Sequence, residues 1–256
     1  MTAALPYYFL LLPGLGDDAG HHVRTLVATL ERFGSVHQLR SVPDLPMAPR
    51  TAGTFAALLD LLEPALSTTP TAQRVVLVGY SIGGTLAFAL ADRLARRGRA
   101  PHLVIMIDSS AVYPPAALSL AQDVRTELAR GLRYIVINLP TMLAIRGGLL
   151  RVARAYVRLG NKISPKHING SRMRLLVHYW VDAITGTTLP DYGGRVLLYK
   201  AAKHRPRITA ADLGWSRFAA SFEMRRMPGD HWTILKQPEL YDDLADLLHD
   251  RPASGV

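Results

Sequence analysis

The chain has 256 residues, 49% of them hydrophobic, and carries 30 Lys+Arg against 20 Asp+Glu for a formal charge of +10. An apolar fraction this high excludes intrinsic disorder, and the length fits one large domain or one domain with an insertion. Cysteine is absent, which excludes a disulfide framework, a thiolate metal site and a cysteine nucleophile; any covalent catalysis must use Ser, Thr, Lys or a carboxylate.

The opening stretch MTAALPYYFLLLPGLG has no positive residue before its apolar run and soon meets Pro13 and Gly14. It reads as a strand, Tyr7–Leu12, running into a glycine loop, and not as a signal peptide. Residues 51–65 place apolar side chains at helical spacing. Val75–Val78 is a short buried-type strand, and Gly84–Arg97 is a helix with Leu86, Leu90 and Leu94 on one stripe, arginines near its C-terminal end and Gly98 as the cap. Leu103–Ile107, Val196–Tyr199 and Phe222–Met227 read as further strands, and a last helix follows. Short apolar runs alternating with helical patterns predict an α/β fold with a mostly parallel central sheet flanked by helices.

Ala116–Leu175 interrupts that alternation, reading as helices without a clear strand. It holds 11 Lys and Arg against Asp123 and Glu127, a net +9, nearly all the charge of the chain. The alternation resumes at Val196, so 116–190 reads as a helical insertion in a core made of 1–115 and 191–256. The apolar stretch Tyr134–Ile145 is closed by Arg133 and Arg146 and interrupted by Pro140, well short of the roughly 20 residues that span a bilayer. No recognised nucleic-acid module accompanies the charge. The expectation is a soluble, cytoplasmic protein with neither a membrane nor a nucleic acid as partner.

The most informative motif is Gly79-Tyr80-Ser81-Ile82-Gly83-Gly84, a G-x-S-x-G sequence between an apolar strand and a helix. In that context the serine stands on a sharp, strained turn that lifts its hydroxyl above the sheet. The flanking glycines let strand and helix approach. Ser81 is the candidate nucleophile, and the Ile82 N–H at the helix start is a candidate oxyanion donor.

A serine nucleophile needs a base, and Pro228-Gly-Asp-His231-Trp sits on a loop between a strand and the last helix, free to swing His231 over the sheet edge. His249 falls on a helix pattern, and His167 and His178 fall in the basic insertion. Two acids are candidates: Asp108, ending the apolar run 103–107 at the carboxyl edge of a parallel strand, and Asp212, following the later strand. Either could instead cap a loop, and Asp230 points away from the base more easily than toward it. For a second oxyanion donor the loop Leu12-Pro-Gly-Leu-Gly16 offers the N–H of Leu15, with Gly14 next.

These motifs resemble the thioesterase domains that release products from nonribosomal peptide and polyketide synthases, in the α/β-hydrolase superfamily. The resemblance runs through LPGLG, GYSIGG, Met106-Ile-Asp108-Ser-Ser with Tyr113-Pro-Pro115, Val196-Leu-Leu-Tyr-Lys-Ala201, Leu213-Gly-Trp215, and Pro228-Gly-Asp-His231 with Leu235 and Pro238. In that family the acid follows the sixth strand, which falls on Asp108, and a helical lid comes next, which falls on 116–190. Discrete editing thioesterases are similar but usually place the acid later, so Asp108 favours the chain-releasing type. Where such domains often show His-Pro-Ala-Gly-Gly, this chain has Pro13-Gly-Leu-Gly-Asp17, so Leu15 and Gly14 both stand as donors.

The resemblance implies a two-step acyl transfer from the phosphopantetheine thioester of an acyl or peptidyl carrier protein to Ser81, with His231 as base and acid and Asp108 holding its tautomer. It implies no metal and no bound cofactor. The basic segment 116–175 would then serve to dock the acidic carrier. A general carboxylesterase or lipase would share the triad without a carrier, and a catalytically silent protein would use the same basic segment to hold an acidic partner.

Overall fold

Strand-forming runs of Val, Ile, Leu and Tyr set the frame of the computed structural model, which describes residues 6–12, 14, 21–39, 55–67, 73–111, 132–146, 148–163, 171, 175, 184–185, 187–203 and 210–249. In chain order the elements are β1 (Tyr7–Leu12), α1 (His21–Glu31), β2 (Gly34–Gln38), α2 (Phe55–Leu62), α3 (Pro64–Ser67), β3 (Arg74–Tyr80) and α4 (Ile82–Arg96). There follow β4 (Leu103–Ile107), α5 (Leu132–Arg146), α6 (Leu150–Ile163), β5 (Tyr192–Lys203), β6 (Ala219–Asp230), a 3-10 turn (Ile234–Lys236) and α7 (Pro238–His249).

The six strands form one sheet in the order β2-β1-β3-β4-β5-β6, with every neighbouring pair parallel. The expected fold is therefore present: a parallel sheet flanked by helices. Parallel strands covered on both sides bury both faces, and all of Leu103–Ile107 and of Val76–Tyr80 is buried. On one face Phe9, Leu11, Val76, Val78, Ile105, Ile107, Leu197 and Tyr199 pack with Leu26 and Leu30 of α1 and Leu240, Leu244 and Leu248 of α7. Helix α4 lies against β3 and β4, and none of its residues belongs to that cluster, so it covers the other face. Its end is a Schellman motif: Gly98 takes φ +71, its N–H donates to the Ala95 carbonyl and the Arg99 N–H to Leu94.

The elements divide into two compact units, Met1–Pro46 with Ala56–Val112 and Thr188–Val256, and Met47–Phe55 with Tyr113–Thr187. The sequence reading set the insertion at 116–190. In the second unit α5 turns into α6, with the Leu149 N–H donating to the Ala144 carbonyl at 2.7 Å. A small core of Ala144, Ala153, Val157 and Leu175 joins the two helices. Pro140 lies inside α5. Among the described residues no helix is long and apolar enough to cross a membrane.

Candidate active site

Parallel strands bring all their carboxyl ends to one edge of the sheet, and ligands of open α/β sheets bind there. Gly14 follows β1, Ser81 follows β3, Asp108 follows β4 and His231 follows β6, so four predicted site residues gather on that edge within the first unit.

Ser81 is the single residue between β3 and α4, with φ 55 and ψ −126. A non-glycine residue at such φ is strained, and strain of this kind persists only where its surroundings over-determine it. Here they do: the Ser81 N–H donates to the Ile107 carbonyl at 2.9 Å, and the Ser81 carbonyl accepts from Gly84 N–H at 3.1 Å. A serine at a helix N-cap normally spends its hydroxyl on the helix N–H groups. Ser81 makes no such side-chain bond, so its hydroxyl is not committed to its own helix. Gly79 and Gly84 are tightly enclosed: a Cβ on Gly79 would stand 2.3 Å from the Gly83 backbone and one on Gly84 would stand 2.5 Å from Ser109 Cβ.

That second contact predicts the outcome of Gly84→Ala. Ser109 is fully buried, so the added methyl forces the helix away from β4 at a cost of about 1–3 kcal/mol. A thermal melt should show the midpoint lowered by roughly 2–12 °C; an unchanged midpoint would mean that the helix moves without penalty.

Asp108 sits one residue beyond β4 at φ 43. Its N–H donates to the Tyr199 carbonyl at 2.7 Å, which carries the β4–β5 pairing one residue further and pins the backbone. Its side chain is fully buried. Oδ1 accepts from the Ala201 N–H at 2.9 Å, and Oδ2 meets His231 Nδ1 at 2.7 Å. A carboxylate can only accept, so Nδ1 carries a proton, and in the neutral imidazole the basic nitrogen is Nε2. Because the Ser81 N–H bonds the carbonyl of the residue just before Asp108, Ser81 and Asp108 are neighbours along the sheet edge. Among the described residues Ser81 Oγ and the imidazole are not directly hydrogen-bonded; contacts of this type tighten when substrate binds.

The His231 loop is organised by its own carboxylate. Asp230 Oδ1 accepts from Trp232 N–H, Thr233 N–H and the Thr233 hydroxyl. These bonds, the Thr233 hydroxyl first, hold its carboxyl below the usual carboxylate range. Asp212, the other acid candidate, accepts from Gly214 N–H at 3.0 Å and Ser216 N–H at 2.7 Å. Partial burial pushes its carboxyl up, but the Ser216 and Gly214 bonds outweigh this and leave it lowered. It caps its own loop, and the imidazole bonds Asp108.

Ile82 opens α4, where backbone N–H groups have no carbonyl a turn earlier to bond. Gly14 lies against the elbow: a Cβ there would stand 3.0 Å from the Tyr80 ring and 3.3 Å from Ser81 Cβ. Leu15 lies outside the described residues. Sequence reasoning missed Tyr80, whose ring stacks on the His231 imidazole at 5.2 Å and 22° and whose hydroxyl donates to the His231 carbonyl at 2.5 Å. The middle position of the motif tolerates many residues, so nothing in the pattern marks it. Among the described residues no cluster of His, Asp and Glu is arranged to hold a metal ion.

A family model described as "Thioesterase domain" matches residues 10–251. The chain belongs to the thioesterase-domain family. This thioesterase domain is 26% identical to chondramide synthase cmdD of Chondromyces crocatus, over 92% of the chain but only 6% of the synthase. Among solved structures, it matches the NocB thioesterase domain of the nocardicin cluster at TM-score 0.60 and 21% identity, over 95% of this chain and 92% of that one. It also matches the Vlm2 thioesterase domain bound with a dodecadepsipeptide, at TM-score 0.61 and 18% identity, over 98% and 95%. At these identities the structural likeness establishes the α/β-hydrolase fold of the thioesterase domain.

Proposed function

We propose that the chain releases an acyl, peptidyl or polyketide chain from a carrier-bound thioester through an acyl-enzyme on Ser81. The observation that carries this reading is the 2.7 Å Asp108–His231 contact on the sheet edge that also presents the strained Ser81 elbow. The relatives add support, since one is a stretch of a synthase and another holds a depsipeptide.

In the first step Ser81 Oγ attacks the thioester carbonyl while His231 Nε2 takes its proton. The tetrahedral oxyanion accepts from the Ile82 N–H and from Leu15 or Gly14. The C–S bond then breaks, and the imidazolium returns the proton to the departing pantetheine thiol. In the second step water, or an amine or hydroxyl of the acyl chain itself, gives its proton to His231 and attacks the acyl-serine; the bond to Ser81 Oγ breaks, the imidazolium returns the proton to that oxygen, and the products are a free acid or a ring. Asp108 holds the Nδ1–H tautomer throughout, and no metal or bound cofactor takes part.

Intact-mass spectrometry after exposure to acyl thioesters on a pantetheine mimic tests this. Wild type should gain the acyl mass and Ser81→Ala should not, and the mass of the released product separates hydrolysis from ring closure. Failure of both proteins to gain mass, with simple esters cleaved, would point to a carboxylesterase.

The carrier is proposed to dock on α6 (Leu150–Ile163). Arg151, Arg158 and Lys162 are exposed along one row of that helix, and Val152, Leu159 and Ile163 are exposed along the neighbouring row. Such a face suits an acidic partner with an apolar centre. Arg151→Glu, Arg158→Glu and Lys162→Glu together should raise KM for the carrier-bound thioester about tenfold or more, relative to the carrier-free pantetheine thioester. Added salt should raise the wild-type KM in the same direction. A KM insensitive to both would place docking elsewhere.

A further inference from the structure

From the contacts of its ring and its hydroxyl, we infer that Tyr80 is a positioning residue that fixes the base relative to the nucleophile; the inference rests on the reading of His231 as that base. The imidazole is carried by a loop beyond β6, and one hydrogen bond to Asp108 leaves it able to hinge about the Nδ1···Oδ2 direction. Two Tyr80 contacts remove that freedom. The near-parallel phenol ring lies flat on the imidazole, in the offset arrangement aromatic pairs favour. The phenol hydroxyl holds the His231 carbonyl at 2.5 Å, the short end of the hydroxyl–oxygen range.

Gly14 borders the ring. A Cβ added to Gly14 would stand 3.0 Å from Tyr80 Cδ1 and 3.3 Å from Cε1, so the glycine leaves the ring the room that any side chain there would crowd. Tyr80 is buried and is the residue bonded to Ser81. Its side chain therefore holds the imidazole and the His231 carbonyl while its backbone leads directly into Ser81. Trp232 also meets the imidazole, edge-on at 5.2 Å and 82°, but it is 66% exposed and restrains the ring less.

Tyr80→Phe keeps the ring and removes the hydroxyl, and Tyr80→Leu removes the flat surface as well. Tyr80→Phe should lower kcat about tenfold, the loss of one oriented hydrogen bond, with KM held. Tyr80→Leu should lower it about a hundredfold, as for a base displaced by about 1 Å. A spectroscopic readout needs no substrate: the low-field NMR resonance of the His231 Nδ1 proton should be sharp in wild type and broadened by exchange in Tyr80→Phe, with thermal melts confirming the fold. Should Tyr80→Leu fail to fold, Tyr80→Phe decides alone. Wild-type kcat and a sharp resonance in Tyr80→Phe would overturn the inference. A wild type that neither turns over thioester nor reacts with a fluorophosphonate would instead overturn the catalytic reading, leaving the resonance as the separate test of the clamp.

Discussion

Ser81→Ala should yield a folded protein that turns over carrier-bound thioester about 10⁴–10⁶ times more slowly than wild type. Among the described residues no neighbouring hydroxyl can stand in: Ser109 Oγ is fully buried and lies 3.2 Å from Thr85 Oγ1 within hydrogen-bond reach, and Ser110 is also buried. What remains is direct attack by water aided by the oxyanion donors, which accounts for the residual rate. The fold should survive, because the Ser81 hydroxyl makes no cap bond to α4 and alanine meets the same strain at φ 55 as serine does. A thermal midpoint within about 2 °C of wild type alongside the lost turnover would establish that chemistry, not stability, was removed. Turnover near wild type would exclude Ser81 as the acyl acceptor.

Asp108→Asn should cost about 10⁴ in kcat, and this site offers a specific reason. The Ala201 N–H donates to Oδ1 at 2.9 Å, so the amide of an Asn will turn its oxygen toward Ala201 and its NH₂ toward His231. An NH₂ group cannot accept from Nδ1–H. The imidazole then takes the other tautomer, with its proton on Nε2, and can no longer receive the serine proton. Volume and backbone are unchanged, so KM should hold while kcat collapses. Asp212→Asn is the control: Asp212 bonds Gly214 and Ser216 in its own loop, and its loss should touch stability before rate. A larger kcat loss at Asp212 than at Asp108 would reverse the assignment of the acid.

Where the chain is buried on both faces, its composition alone reveals the element. Tyr7–Leu12 and Leu103–Ile107 are strands over the residues read from their apolar runs, and the elbow is marked by glycines, of which Gly79 and Gly84 stand where a Cβ would meet the Gly83 backbone and Ser109. β2 (Gly34–Gln38) was missed because it is an edge strand with alternating burial; its sequence GSVHQ has one strongly apolar residue, and pairing with β1 makes it a strand. β5 and β6 run well past the apolar stretches Val196–Tyr199 and Phe222–Met227, since ladder pairing carries polar residues such as Arg195 and Arg226 along.

Within the site, pattern alone left Asp108 and Asp212 both open as partner to His231, because both follow strands. The contact itself depends on β4 and β6 being separated by one strand in space, which no local pattern states. Tyr80 was illegible for a related reason: it acts through a ring face and a hydroxyl aimed at a residue far along the chain, whereas the loop bonds of Asp230 to Trp232 and Thr233 follow the local spacing of a capping Asp.

The order of the strands also has a temporal side. Asp108 and His231 lie 123 residues apart in the chain, and His231 arrives just after β6, the last strand among the described residues. At the 5–20 residues per second of ribosomal synthesis, roughly 6–25 seconds pass between the emergence of the acid and that of the imidazole. On the proposed roles, Ser81 gains its base only once the edge strand β6 has docked beside β5.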